Sequence, residues 1–247
     1  MVISLVGVKR RWALVAAILV WIFYTPWLLR TLIPFRNEGT PSMVVSQFSV
    51  SGRWMALAFA DIPEDQTGRA IVADLAMHRV RATFFVTGQS TVRFKGWMRL
   101  GRRRGDDIEN HSQAHINLAV HPLRQDVADL QKAQAAIKSA VGSRPRWLLP
   151  PYGAVNSTVI DAAHAVHLRV VHPHFDDVVA VGGLTGQAIM SRQAMIHHVM
   201  EDLRPGAIVV LEGMNGKTAS GIPRLLSLIA LKGYHVVSIP TLWRRSR

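Results

Sequence analysis

The sequence predicts an α/β domain that follows a single N-terminal membrane-spanning helix. Two observations favour the α/β class: about seven short, mostly apolar runs alternate with longer segments of helical period, and titratable residues directly follow several of these runs. Alternation of this kind is typical of a parallel sheet covered by helices, either a barrel or a doubly wound sheet. A third observation, an uncharged run near the N-terminus, predicts the membrane helix.

The uncharged run covers residues 12–29, and its 18 residues would span about 27 Å as a helix, close to the hydrocarbon thickness of a bilayer. Basic residues 9–11 precede the run, so the short tail is expected in the cytoplasm and the rest of the chain outside it. A cleaved signal peptide and a buried soluble helix are the alternatives. No small-residue cleavage site follows the run, which favours a single-pass anchor over residues 1–32.

Residues 33–50 contain Pro34, Gly39 and Pro41 with little periodicity, and they are predicted to form a linker. Residues 51–247 form the remaining domain, which is long enough to bury a hydrophobic core of its own. Seven runs in it have the length of buried strands. The predicted strands are residues 55–60, 82–86, 107–110, 147–149, 168–171, 207–211 and 235–239.

The segments between these strands carry apolar residues at the spacing of an amphipathic helix. The predicted helices are residues 68–80, 92–104, 123–141, 157–167, 188–203 and 222–232. Asn156 is a typical N-cap, and Pro205-Gly206 and Gly233 are typical of helix ends. The order of the segments gives about seven β-then-α units.

The composition restricts the possible chemistry. The chain has 29 Lys and Arg against 16 Asp and Glu, a net charge of +13, which predicts an anionic partner such as nucleic acid, lipid headgroups or an acidic polymer. The basic clusters at 99–104 and 243–247 have neither interleaved aromatic residues nor a nucleic-acid-reading motif, so no nucleic acid partner is expected. The absence of cysteine excludes disulfides, thiolate metal sites and a cysteine nucleophile.

Chemically active residues follow the predicted strands, where a barrel would gather them at one mouth. They are Asp61, His111, His115, Tyr152, Asp176 and Glu212. The spacing of His111 and His115 would place both imidazoles on one face of a helix, where they could share a metal with Asp61. A chance histidine pair and a turn aspartate before proline are the alternative interpretations. Residues 172–177 are a weaker candidate for a second metal site.

Six segments, taken in order, resemble the motifs of the polysaccharide deacetylase family, the NodB-homology domain of carbohydrate esterase family four. The segments are L-A-F-A-D-I-P at 57–63, A-T-F-F-V-T-G at 82–88, N-H-S-Q-A-H at 110–115, L-P-P-Y-G at 149–153 with Asn156, G-A-I-V-V-L-E-G at 206–213, and K-G-Y at 232–234. The resemblance covers about residues 51–239.

The resemblance implies a distorted (β/α) barrel of about seven parallel strands that hydrolyses N-acetyl or O-acetyl groups of a cell-envelope or extracellular polysaccharide. It implies a divalent metal, usually zinc, on Asp61, His111 and His115, and a Tyr152 backbone N–H that stabilises the oxyanion. The resemblance also implies that Leu211 lines a pocket for the acetyl methyl group. Pro151 and Tyr152, in the turn at 149–153, and Asp176, after a predicted strand, are the other expected substrate contacts.

The chain departs from the family's acid/base residues. Ala60 stands where the family has its general base, Leu149 where it has the arginine that orients this base, and Glu212-Gly213 where it has the general-acid histidine and the following aspartate. Three hypotheses follow: a membrane-anchored, metal-dependent deacetylase that uses Glu212 as its acid/base, a non-catalytic relative that binds glycan or a partner enzyme, and a basic binding protein of another fold.

Overall fold

The structure, a computed structural model, describes residues 44–62, 65–173, 178–180, 191–201, 203–212 and 216–247. Nine strands in these ranges form one sheet, and every pairing between named strands is parallel. The strands are β1 (Val44–Val45), β2 (Trp54–Ala60), β3 (Thr83–Val86), β4 (Asp107–Asn110), β5 (Trp147–Leu148), β6 (Arg169–Val171), β7 (Val178–Ala180), β8 (Ile208–Glu212) and β9 (His235–Val237).

The strand order is β1-β6-β5-β4-β3-β2-β8-β7, and β9 pairs with the first half of β2. The helices are α1 (Asp65–Met77), α2 (Ser90–Arg104), α3 (Leu123–Val141), α4 (Ser157–Ala165), α5 (Arg192–Glu201), α6 (Gly216–Ala219), α7 (Ile222–Leu231) and α8 (Ile239–Arg245), with 3-10 turns at Leu118–Val120 and Pro151–Gly153. This curled parallel sheet with its helices is a distorted (β/α) barrel, as the resemblance implied.

The two faces of the sheet bury different side chains, as the period of two along β2 requires. Ala56, Ala58 and Ala60 lie on the inner face, in a cluster that includes α8. Residues Met55, Leu57 and Phe59 lie on the outer face, in a cluster with α1, α2 and α7. Small side chains on the inner face leave room for α8, whose Ile239 and Leu242 are fully buried there.

All seven predicted strands and all six predicted helices are present, with shifts of a few residues at their ends. The strand predicted to reach residue 239 ends at Val237, because Pro240 favours the first turn of a helix, and α8 begins there. Strands β1 and β7 and helices α6 and α8 were not predicted.

The linker predicted over residues 33–50 is wrong at its C-terminal end. Val44–Val45 form β1, which pairs with β6, and Phe48 is buried in the inner cluster. The N–H of Phe48 donates to the carbonyl oxygen of Gly206 at 2.9 Å. The compact domain therefore includes these residues, because β1 extends the sheet beyond β6 and Phe48 packs into the inner cluster.

The predicted membrane helix over residues 12–29 lies outside the described ranges. Within those ranges no helix is long and apolar enough to cross a membrane.

Candidate metal centre

Three predicted ligands meet at the carboxyl ends of the strands. Asp61 follows β2, while His111 and His115 follow β4. The Oδ2 atom of Asp61 lies 3.6 Å from Nε2 of His111 and 3.0 Å from Nε2 of His115. One candidate ligand atom from each residue lies within 4.8 Å of the other two, which is close enough for all three to hold one ion.

The two histidines do not lie on a helix, so the prediction that they share one helix face is wrong. They lie in a turn after β4, in which Ser112 and His115 have φ values of +64° and +56°. Asp61 also has a left-handed backbone, with φ of +50°. Non-glycine residues in this region cost about 1–3 kcal/mol each and concentrate at functional sites. Here the turns direct three polar side chains toward one point.

The ring of His111 is held in the orientation that a ligand needs. Its Nδ1 lies 2.6 Å from the carbonyl oxygen of Leu149, which can only accept, so Nδ1 carries the proton and Nε2 has the free lone pair. This Nε2 is buried and has no hydrogen-bond partner among the described residues. An unsatisfied buried polar atom costs about 1–3 kcal/mol, and a metal bond would satisfy it. The donor set therefore fits a divalent ion.

Two further side chains fix the turn that carries the histidines. Asn110 accepts from the N–H of Ser112 at 2.8 Å and donates to the carbonyl oxygen of Leu130 at 3.2 Å. Asp129, on α3, accepts from the N–H of Gln113 at 2.8 Å. The sequence analysis quoted Asn110 within a motif but gave it no role, and nothing in the helical pattern of α3 indicated Asp129.

The electrostatics favour an ionised carboxylate beside the histidines. Burial would raise the pKa of Asp61, but its interactions with His111 and His115 outweigh burial and lower that pKa below its usual range. Burial would likewise lower the pKa of His111, and its interactions with Asp61 raise it instead. The carboxylate of Asp61 and the imidazole of His111 thus stabilise each other's charged forms. A cation bound between them would take the place of the proton on the imidazole.

Glu212 lies at the edge of this centre. It is the last residue of β8 and stands in register with Ala60 on β2, so the two side chains are neighbours on adjacent strands. The alternation of β8 places it on the inner face with Val210. Burial raises the pKa of Glu212, the charge of Asp61 also raises it, and the charges of both histidines lower it. The carboxyl group therefore lies within electrostatic range of all three predicted ligands.

Tyr152 lies beside the histidines. Its hydroxyl donates to the carbonyl oxygen of His115 at 3.2 Å, and the two rings meet edge to face at 4.8 Å. The residue has φ of +61° in a 3-10 turn that begins at the buried Pro151. The N–H of Tyr152 donates to no acceptor in the described part of the chain. It is thus free to bind an oxygen of a ligand.

One predicted substrate contact, Leu211, does not lie at the centre. Leu211 is fully buried in the outer cluster, under the helices, because the alternation of β8 turns it away from Glu212. Val210 is the β8 residue next to Glu212 on the inner face. Asp176, and most of the second candidate metal segment at 172–177, lie outside the described residues.

The fold and these side chains define a parallel (β/α) barrel with an Asp-His-His centre at its carboxyl mouth. Residues 49–171 match the family model for polysaccharide deacetylase, which confirms the resemblance drawn from the motifs. The chain belongs to the polysaccharide deacetylase family.

Relatives and solved structures agree with this assignment. The peptidoglycan-N-acetylglucosamine deacetylase PgdA of Listeria monocytogenes is 27% identical over 189 residues, which cover 76% of this chain and 38% of that protein. The chain therefore spans about two fifths of that relative's length. A carbohydrate esterase family four pseudoenzyme from Bacillus anthracis has a TM-score of 0.73 at 20% identity, over 83% of this chain and 70% of that chain. A mutant of this pseudoenzyme with restored enzymatic activity has a TM-score of 0.72 at 21% identity, over 83% and 72%.

Proposed function

We propose that this protein is a metal-dependent deacetylase that removes acetyl groups from a cell-envelope polysaccharide with an altered acid/base apparatus. The observation that carries the proposal is the convergence of Asp61, His111 and His115 around a buried imidazole nitrogen without a partner. The name of the Listeria relative supports a glycan with N-acetylglucosamine as the substrate class.

Asp61, His111 and His115 would hold the ion, which we propose to be zinc. The chemistry supplied by a divalent ion in such a site is polarisation of the acetyl carbonyl and activation of a water molecule. Tyr152 would donate its free backbone N–H to the developing oxyanion. The hydroxyl of Tyr152 already donates to His115, which keeps this turn against the candidate metal centre.

Glu212 would transfer the protons. Its carboxylate would take a proton from the attacking water and then, as a carboxylic acid, return it to the leaving nitrogen or oxygen. Burial raises the pKa of Glu212, which favours the protonated form that would act as the acid toward the leaving group. Its register with Ala60 supports this role, because Ala60 stands where the family has its general base and leaves the neighbouring space to Glu212.

A second candidate is a non-catalytic protein that keeps the metal centre to bind glycan or a partner enzyme. The observation that favours it is the burial of both replaced positions: Ala60 is 1% exposed and Leu149 is 3% exposed, in the inner apolar cluster. Neither side chain can accept a proton. The fold shared with a family pseudoenzyme is consistent with this alternative.

The location is also a proposal. We propose that residues 12–29 anchor the protein in the membrane and that the domain lies outside the cytoplasm, where an acetylated envelope polysaccharide would reach it. The net charge of +13 is consistent with work beside an anionic membrane or envelope surface.

Acetate release from N-acetylglucosamine oligomers and from peptidoglycan tests the first candidate. Glu212→Gln should lower the rate by about 10²-fold or more without changing the zinc content, because only proton transfer is lost. Glu201→Gln, an exposed glutamate on α5, is the matched control and should leave the rate unchanged. Zinc-loaded wild-type protein that releases no acetate from either substrate would instead support the non-catalytic candidate.

A restoration experiment separates the two candidates further. Ala60→Asp with Leu149→Arg would place a carboxylate and a guanidinium together on the inner face, where each would offset the burial cost of the other. The double change should raise the rate of acetate release, and urea unfolding would show whether the variant is folded. If the folded, zinc-loaded double variant releases acetate no faster than wild type, the loss of the base and its arginine partner is not enough to explain the low activity.

A further inference from the structure

A surface cavity lies at the opposite end of the barrel from the metal centre. It has a volume of about 720 Å³ and is bounded by the amino ends of β4, β5 and β6 together with α8. Five arginines line this basic cavity, and all but Arg169 are exposed to solvent: Arg102, Arg144, Arg146, Arg169 and Arg244. None of them belongs to the Asp-His-His centre, which lies at the carboxyl ends of the strands.

The positive charge of the basic cavity is not neutralised by ion pairs. Within the described ranges, no guanidinium of the five lies within 4.0 Å of a carboxylate oxygen. Two acidic residues, Asp107 and Glu109, also line the cavity. Glu109 is buried, and its Oε2 already accepts the N–H groups of Arg146 and Trp147 at 2.7 and 2.9 Å. Its carboxyl group therefore accepts hydrogen bonds from the backbone and forms no ion pair with the cavity arginines.

Three of the five guanidinium groups are held in place by neutral partners. Arg169 lies over the ring of Trp243, 4.2 Å from its centroid, and Arg244 donates to the hydroxyl of Thr241 at 2.9 Å. Arg144 donates to Gln134 at 3.4 Å. Burial lowers the pKa of Arg169, and the nearby charges of Arg247 and Arg146 lower it further, as in a cluster that lacks its counter-charge. Groups held in this way lose little conformational freedom when an anion binds.

We propose that the basic cavity binds a ligand through a phosphate group chelated by these arginines. The planar fork of guanidinium pairs with two oxygens of a phosphate, and a tetrahedral phosphate offers oxygens to several forks from different directions. A carboxylate has only two oxygens and one charge, which one arginine would satisfy. The cavity lining contains arginine and no lysine, which agrees with chelation rather than a diffuse positive surface.

Inorganic pyrophosphate is the probe for this site. Calorimetric titration of the full chain in a non-ionic detergent, at low ionic strength, should show saturable binding. The variant Arg146→Gln with Arg244→Gln should bind about tenfold more weakly or worse, because it loses charge-assisted hydrogen bonds from two guanidinium groups to the phosphate. Arg124→Gln with Arg224→Gln removes the same charge from exposed positions outside the cavity and should bind like wild type.

A charge-conserving variant tests chelation itself. Arg146→Lys with Arg244→Lys keeps the net charge but removes two forks, so its affinity should fall clearly below that of wild type. Urea unfolding midpoints equal to that of the control would show that these variants are folded. The proposal is overturned if pyrophosphate does not bind wild type, if the glutamine variant and its control bind equally, or if the lysine variant binds like wild type.

A second measurement distinguishes a phospholipid headgroup from a soluble phosphorylated molecule as the natural ligand. Native mass spectrometry of the full chain, after addition of phosphatidylglycerol, counts the lipids that remain bound. One lipid retained by the control and lost by the glutamine variant would make a phospholipid headgroup the ligand. Equal lipid counts, with unequal affinities for pyrophosphate, would make a soluble phosphorylated molecule the ligand.

Discussion

Glu109 gives a prediction whose size follows from the structure. This β4 residue is 6% exposed, and burial raises the pKa of its carboxyl group to about 8, against a reference value of 4.5. Replacement by glutamine removes the ionisable group and keeps a side-chain oxygen that can accept from the N–H groups of Arg146 and Trp147. The change therefore isolates the contribution of the Glu109 carboxyl proton to the free energy of unfolding.

The sign of the effect follows from linkage. Because the folded-state pKa lies above the unfolded-state value, the folded protein keeps a proton that the unfolded chain has released. The free energy of unfolding is thus highest below pH 4.5 and falls as the pH rises toward 8. With about 1.36 kcal/mol for each pKa unit, the fall between pH 5 and pH 8 is roughly 3–4 kcal/mol.

Urea unfolding followed by tryptophan fluorescence at pH 5 and pH 8 measures this difference. Glu109→Gln should unfold like wild type near pH 5 and be more stable by about 3–4 kcal/mol at pH 8. Glu201→Gln, whose side chain is 61% exposed, should follow wild type at both pH values. If Glu109→Gln loses stability between pH 5 and pH 8 as steeply as wild type, Glu109 is ionised in the folded protein and the reasoning is refuted.

Three further predictions follow from the candidate metal centre, the backbone and the N-terminus. His111→Ala and His115→Ala should each remove the roughly one zinc ion expected in wild type, as measured by elemental analysis; zinc-free folded wild type would contradict this. Gly206→Ala should destabilise the domain by more than about 2 kcal/mol in urea unfolding, because its φ is +81° and a Cβ would overlap a backbone carbonyl, whereas Gly216→Ala has open space and should change little. A reporter enzyme fused after Ser51 should be active only outside the cytoplasm, and activity inside would refute the proposed topology.

The local pattern of the sequence was enough to predict seven of the nine strands and six of the eight α-helices in the described ranges. Helix α3 was predicted over 123–141 and is observed at Leu123–Val141, because it has an apolar stripe, few breakers and a glycine at its C-terminal end. The two-residue strand β1 has no such signal, since so short a run shows no periodicity. β1 forms because its backbone pairs in parallel with β6. This pairing depends on the folded sheet and not on the local sequence.

The candidate metal ligands could be predicted because each follows a strand, and parallel strands bring their carboxyl ends together. Their orientation could not be predicted. The left-handed backbone of Asp61 and His115, and the support from Asn110 and Asp129, depend on contacts between segments that are distant in sequence. The misassignment of Leu211 has a simpler cause: an error of one residue along a strand moves a side chain to the other face.

The basic cavity could not be predicted, because the sequence shows how many basic residues the chain has but not which of them lie together in the fold. Its arginines come from the end of α2, the turn before β5, the start of β6 and α8, and no local motif connects these segments. The sequence shows the basic cluster at 243–247 but not the residues that it lies beside. Helix α8 turns Ile239 and Leu242 inward, and this packing brings Arg244 beside the other cavity arginines.

The candidate metal centre and the acid/base apparatus depend on different parts of the chain, which explains how one can persist when the other changes. Leu149 orients His111 through its carbonyl oxygen, a backbone atom that every residue type supplies. A leucine at this position, where the resemblance implies an arginine, therefore leaves the imidazole in place. Ala60 likewise precedes Asp61 without taking part in the contacts between Asp61 and the histidines. The residues at 60 and 149 therefore leave the three candidate ligands in place. Under the proposed function, Glu212 is the side chain on which proton transfer would depend.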